Sequence, residues 1–80
     1  MSSSPAPLRL DLTGLKCPLP VLRTRKALRA MSPGAVLEVV CTDPMSAIDI
    51  PNMVRESGDI LRDKRTQNAS LFFCIEKAAS

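Results

Sequence analysis

A cysteine followed by two alternating prolines, Cys17-Pro18-Leu19-Pro20, is the stretch of this 80-residue chain whose residue types can do chemistry. Proline is favoured at the first position of a helix, where its missing N–H would have no partner. Pro18 at that position puts Cys17 at the N-cap, a place that usually holds Ser, Thr, Asp or Asn. A neutral thiol caps poorly, but a thiolate there faces free N–H donors and the positive end of the helix dipole. Such a placement lowers a cysteine's pKa and raises its thiolate fraction. Lys16 stands beside it, and Arg23, Arg25, Lys26 and Arg29 follow. The stretch predicts a presented, reactive sulfur. An inert cysteine ahead of an ordinary proline-started helix is the bland alternative, and local physics leaves both open.

Other cysteine chemistry is harder to build from this sequence. Cys17, Cys41 and Cys74 are widely separated, with no C-x-x-C pair, so neither a disulfide framework nor a zinc site is expected. Histidine is absent, which removes the commonest metal ligand and the usual base that activates cysteine or serine. No metal and no cofactor are expected. Any reaction at Cys17 must then draw on local electrostatics or on a partner protein.

The elements that position this sulfur are legible from hydrophobic period. Leu8, Leu10 and Leu12 alternate with Arg9 and Asp11, as in a strand with one buried face. Thr13-Gly14-Leu15-Lys16 turns toward a helix running from Pro18 to Met31. In it Val21, Thr24, Leu28 and Met31 form an apolar stripe with Ala27 alongside, and Leu19 and Leu22 lie off that stripe. The arginines and lysine on the remaining surface read as a solvated face, with an acidic partner as the alternative. Ser32-Pro33-Gly34 stops the helix.

Val36 to Thr42 is a second strand, with Leu37, Val39 and Cys41 inward, so Cys41 reads as a small core residue. Asp43-Pro44 opens a second helical segment in which Ser46 and Asp49 have capping-box spacing. Ala47, Ile50 and Val54 supply its apolar face; Pro51 either starts the helix proper or kinks it, and Gly58 suits its close. Asp59 to Thr66 is a polar strand, Gln67-Asn68 a turn, and Leu71, Phe73 and Ile75 face inward on the last strand. Outward Phe72 and Cys74 fit an ordinary half-covered sheet or a contact surface.

The order β-α-β-α-β-β, with right-handed crossovers, places both helices on one face of a four-stranded mixed sheet. This is an α/β (α+β) two-layer sandwich. Alternation in the strands agrees, because a sheet covered on both faces would show continuous apolar runs. Residues 8–78 form one domain. Residues 1–7 read as a disordered lead-in, without the basic start and apolar run of a signal peptide.

A chain this short buries only about 60% of the surface of its unfolded form, too little to enclose a deep substrate cavity. Net charge is +3 and Phe72 and Phe73 are the only aromatics. Mild basicity suits an acidic protein surface, while the lack of stacking aromatics argues against nucleic acid as a partner. No run of about 18 apolar residues is present to cross a membrane, and the cytoplasm is the expected location. A monomer is expected, although no residue pattern sets the oligomeric state.

The chain resembles the TusA/SirA family of small sulfur carrier proteins. The resemblance rests on Asp11, Gly14, Cys17-Pro18-Leu19-Pro20, Val21 and Lys26. Gly34, Asp43-Pro44, Asp49-Ile50-Pro51, Gly58 and Phe73-x-Ile75-x-Lys77 extend it over residues 8–77. One residue departs from the pattern: Asp59 stands where the family commonly has His. The resemblance implies a sulfurtransferase that carries a persulfide on Cys17. The sulfur would come from a cysteine desulfurase or rhodanese-type protein and pass to an acceptor cysteine in a relay. Such relays serve tRNA thiolation, molybdenum-cofactor synthesis or sulfur oxidation, and the resemblance does not choose among them.

On this reading Asp11, Gly14, Pro18 and Pro20 supply supporting geometry around Cys17. Leu19, Arg23, Arg25 and Lys26 supply the partner-binding surface. Two other functions stay open on the sequence. One is a non-enzymatic module that binds RNA or protein through the basic helix. The other is a thiol-based regulator in which Cys17 forms a mixed disulfide.

Overall fold

Strand β1 (Leu8–Leu12) pairs parallel with β2 (Val36–Cys41), Leu10 opposite Val39 and Leu12 opposite Cys41. A computed structural model describes residues 7–78, and the lead-in over residues 1–7 lies, except for Pro7, outside the described residues. Helices α1 (Leu19–Arg29) and α2 (Ser46–Ser57) alternate with the strands, and β3 (Ile60–Gln67) and β4 (Ser70–Glu76) close the chain as a hairpin. Sheet order is β1-β2-β4-β3. Strand β4 runs antiparallel to both its neighbours, so β1, β2 and β3 share one direction and the sheet is mixed, as expected.

Both helices cover the same face. Leu12, Leu37, Val39, Phe73 and Ile75 project from the sheet into a core completed by Leu28 of α1 and Ile50, Met53 and Val54 of α2. Cys41 is fully buried there, as its alternation predicts. The inward set of β1 is only partly covered: Leu12 is buried and Leu10 half-buried, but Leu8 is exposed. Strand β1 lies at a sheet edge, and Leu8 begins it. Strand β3, at the other edge, carries Arg62, Asp63, Lys64 and Arg65 and an irregularity between Leu61 and Asp63. Charges and bulges of this kind keep an open edge from pairing with other chains.

Three local expectations are corrected. Helix α1 buries Pro20, Thr24 and Leu28 most deeply, with Val21 and Met31 only packed against the core. Thr24 meets its polar need there by donating from Oγ1 to the Pro20 carbonyl at 2.7 Å. Helix α2 begins at Ser46 with Met45 at its N-cap, so Ser46 and Asp49 form no capping box. It runs through Pro51 and ends at Gly58, whose φ of 84° is a left-handed conformation open to glycine. The β3–β4 turn falls at Asn68-Ala69, one residue later than predicted, with φ of 50° and 65°. Paired positive φ values suit a two-residue hairpin whose twist matches the strands. Among the described residues, no helix is long and apolar enough to cross a membrane.

Candidate functional site around Cys17

The parallel strands β1 and β2 end side by side, and the loops that follow them meet at Cys17. The first loop turns at Gly14, whose φ is 84°. Nothing lies within 4 Å of where a Cβ would sit, so backbone conformation rather than space calls for glycine. Its N–H donates to Thr42 Oγ1 at 2.9 Å, which ties the loop after β1 to the loop after β2. Asp11 closes on its own strand end: Oδ1 accepts from the Thr13 N–H at 3.0 Å and the Thr13 hydroxyl at 2.8 Å. Those two donors hold its carboxyl below the usual carboxylate range. Asp11 thus shapes the turn leading to Cys17 and makes no hydrogen bond with it.

Cys17 occupies the second position of a β-turn, Lys16-Cys17-Pro18-Leu19, closed by the Leu19 N–H on the Lys16 carbonyl at 2.8 Å. The Cys17–Pro18 peptide is cis, which makes this a type VI turn. The N-cap of α1 is Pro18, not Cys17. The first helical bond runs from the Leu22 N–H to the Pro18 carbonyl at 3.1 Å, leaving Cys17 one residue outside the helix. No side chain caps α1, so the expected thiolate contact with its free N–H groups is not made. The sulfur is exposed.

Its surroundings come from the second loop. Asp43 is 8% exposed, and its Oδ2 accepts the Cys17 backbone N–H at 2.5 Å. The other oxygen, Oδ1, accepts the Met45 N–H at 3.2 Å, so one carboxylate fixes both the Cys17 turn and the entry to α2. Asp49, in the first turn of α2, places Oδ2 3.6 Å from Cys17 Sγ. The thiol donates and the carboxylate accepts. An acidic residue in that turn also suits the positive end of the α2 dipole.

These surroundings reverse the expected ionisation of Cys17. Protein atoms around the sulfur strip part of its hydration and raise its pKa. The hydrogen bond to Asp49 and the charges of Asp49 and Asp43 push it further up. Each of these causes favours the neutral thiol. No cation near in sequence offsets these causes. In the sequence Asp43 opens the second helical segment and Asp49 has capping-box spacing, and neither points to Cys17; their reach to it depends on the β1–β2 pairing.

The remaining predicted residues take distinct places. Leu19 follows the turn and is 41% exposed, and Leu22, one turn on, is 49% exposed. Two further exposed apolar residues, missed by the sequence analysis, lie on the second loop and α2: Met45 at the N-cap of α2, 49% exposed, and Ile48 beside Asp49, 58% exposed. The signal available was that neither falls on the stripe of Ala47, Ile50 and Val54. Arg23 and Lys26 are exposed and Arg25 half-buried along α1, and none is in an ion pair among the described residues. Pro18 and Pro20 frame the turn and the start of α1. Asp59 lies beyond the far end of α2, accepting from Ser57 Oγ at 2.8 Å and from the Ala78 N–H at 2.9 Å. That role is structural and separate from Cys17.

Comparisons with known proteins show what this chain is similar to. Residues 8–77 match the family described as sulfurtransferase TusA. The sulfur carrier protein TusA of Allochromatium vinosum is 42% identical over 69 residues, covering 86% of this chain and 91% of the relative. The protein of the same name from Pseudomonas paraeruginosa is 36% identical over 70 residues, covering 88% of this chain and 89% of the relative. The crystal structure of a SirA-like protein from Desulfitobacterium hafniense superposes with a TM-score of 0.78 at 25% identity, covering 89% of this chain and 97% of that one.

Proposed function

The chain belongs to the TusA family of sulfur carrier proteins, and on that premise we propose that Cys17 is the thiol that holds the sulfur. As a carrier in a sulfur relay it meets a donor protein and an acceptor protein. We assign it the chemistry of a sulfurtransferase acting on protein persulfides. The observation that carries the assignment is an exposed Cys17, backbone-locked by Asp43, at the meeting of two loops.

The transfer is redox-neutral. Cys17 Sγ attacks the outer sulfur of the donor's persulfide, a new S–S bond forms at Cys17, and the donor's own S–S bond breaks. The donor leaves as a thiol, taking the equivalent of the proton that Cys17 loses. The acceptor's cysteine repeats the exchange and returns Cys17 to a thiol. No oxidant or cofactor enters the balance. A cysteine desulfurase or a rhodanese-type protein supplies a suitable persulfide, and free thiols of this kind favour a reducing compartment such as the cytoplasm.

The two acids give the carrier a resting state. With its S–H donating to Asp49, Cys17 rests as a neutral thiol. Leu19, Leu22, Met45 and Ile48 offer the apolar contact for docking, and Arg23, Arg25 and Lys26 steer acidic surfaces toward it. Incubation with a cysteine desulfurase and radiolabelled cysteine is expected to label the wild-type chain and leave Cys17→Ser unlabelled. Equal labelling of that variant overturns the assignment.

A further inference from the structure

A sulfur carried on Cys17 changes the charge of the site. At rest the thiol is neutral, and its S–H donates to Oδ2 of Asp49 at 3.6 Å. A persulfide is a stronger acid than the corresponding thiol, so near neutral pH the loaded site is an anion. Loading therefore removes the proton that Asp49 accepts and puts a like charge in its place. An S–S bond of about 2 Å keeps the outer sulfur within about 6 Å of that carboxylate, whichever way it points.

Little near the sulfur compensates. The backbone N–H of Cys17 is bonded to Oδ2 of Asp43, a second carboxylate, and Pro18 has no N–H to give. The Leu19 N–H is held by the Lys16 carbonyl and that of Leu22 by the Pro18 carbonyl. Lys16, the cation adjacent in sequence, is exposed and in no ion pair among the described residues. None of the groups that shift the thiol is a cation. A site built to hold an anionic sulfur has the opposite character, with free helix N–H groups or cations around it.

On the reading that Cys17 carries the sulfur, we propose that Asp49, seconded by Asp43, biases the carrier toward giving that sulfur up. Loading is Cys17–SH plus R–S–S⁻ giving Cys17–S–S⁻ plus R–SH. The donor's S–S bond breaks, one S–S bond forms at Cys17, and the thiol proton ends on the donor's sulfur, with no net oxidation. The negative charge moves from the donor to the side of two carboxylates, so this step is less favourable than at a neutral site. Delivery runs the same exchange in reverse against an acceptor's thiol and relieves the repulsion. The site thereby favours an empty carrier over a stored persulfide. At the high dielectric of an exposed site, like charges about 5 Å apart disfavour each other about fivefold. A carboxylate acting as a base would change how fast the exchange runs and leave its balance alone. A like charge changes the balance.

Equilibrium exchange with glutathione persulfide tests the proposal without a docked protein. The chain is mixed with set ratios of glutathione persulfide to glutathione at neutral pH. Sulfurs are then trapped by alkylation, and mass mapping of the Cys17 peptide gives the loaded fraction. Asp49→Asn, which keeps the shape of the side chain, should raise the ratio of loaded to empty Cys17 about fivefold at low salt. Asp49→Ser, a second way to remove the charge, should give the same gain. Both gains should shrink toward unity at about 1 M salt, where the screening length is about 3 Å. Equal or lower loading of the two variants, or a gain that salt does not reduce, overturns the bias and leaves Cys17 as the carrier. No loading of Cys17 in any of the three chains overturns both.

Discussion

The Cys17 backbone N–H donates to Oδ2 of Asp43 at 2.5 Å, although 26 residues separate them in the chain. The same carboxylate takes the Met45 N–H. A single buried acid thereby holds the turn that presents the thiol and the entry to the helix that brings Asp49 beside it.

Replacement of Asp43 should disturb stability and presentation together. Asp43→Ala leaves two N–H groups without an acceptor, which costs about 2 kcal/mol of stability, given that hydrogen bonds to charged groups contribute about 1.5–3 kcal/mol each and water replaces part. Asp43→Asn keeps one acceptor oxygen and should lose about half as much. Urea unfolding measures both. An Ala variant as stable as the wild type contradicts the anchoring role.

Removing the Asp49 charge should make Cys17 more acidic. Thiolate is the reactive form, so alkylation of Cys17 by iodoacetamide should reach half its maximal rate above the pH of an ordinary thiol. Asp49→Asn should move that midpoint down and speed alkylation at neutral pH several-fold. The sign for stability follows. Folding favours the protonated thiol, so its contribution is present below the unfolded pKa and lost as pH rises through the raised one. An unchanged or higher midpoint in the variant would show that Asp49 does not control the sulfur.

The apolar surface around the turn should matter for partners and little for folding. Leu22→Ser and Ile48→Ser alter exposed side chains, and such changes usually shift stability by less than about 0.5 kcal/mol. Together they should weaken binding to a desulfurase about tenfold, a loss of about 1.4 kcal/mol. Calorimetric titration of the donor measures the difference. Unaltered affinity would place docking elsewhere.

Much of this molecule is legible in its sequence because one face of each element is apolar. Leu37, Val39 and Cys41, and Leu71, Phe73 and Ile75, point inward as their alternation requires, and both helices fall on that side. The Cys17 environment is less legible, for two reasons. Alternating prolines allow either a helix start or a turn at Cys17, and the turn wins, with Lys16 and Leu19 joined across it. Desolvation, together with two carboxylates 26 and 32 residues away in the chain, raises its pKa, so nearby basic residues gave the wrong sign. Helix α2 accepts Pro51 in its interior because core packing of Ile50, Met53 and Val54 outweighs the lost backbone donor.

The central claim is that one sulfur rides on Cys17. Intact mass after incubation with a cysteine desulfurase and cysteine, followed by alkylation and peptide mapping, tests it most directly. The account predicts a gain of about 32 Da, located on the peptide that contains Cys17 and absent from Cys17→Ser, as expected for persulfidation of an accessible thiol. The same gain on the Cys74 peptide, or its persistence in Cys17→Ser, would contradict the account.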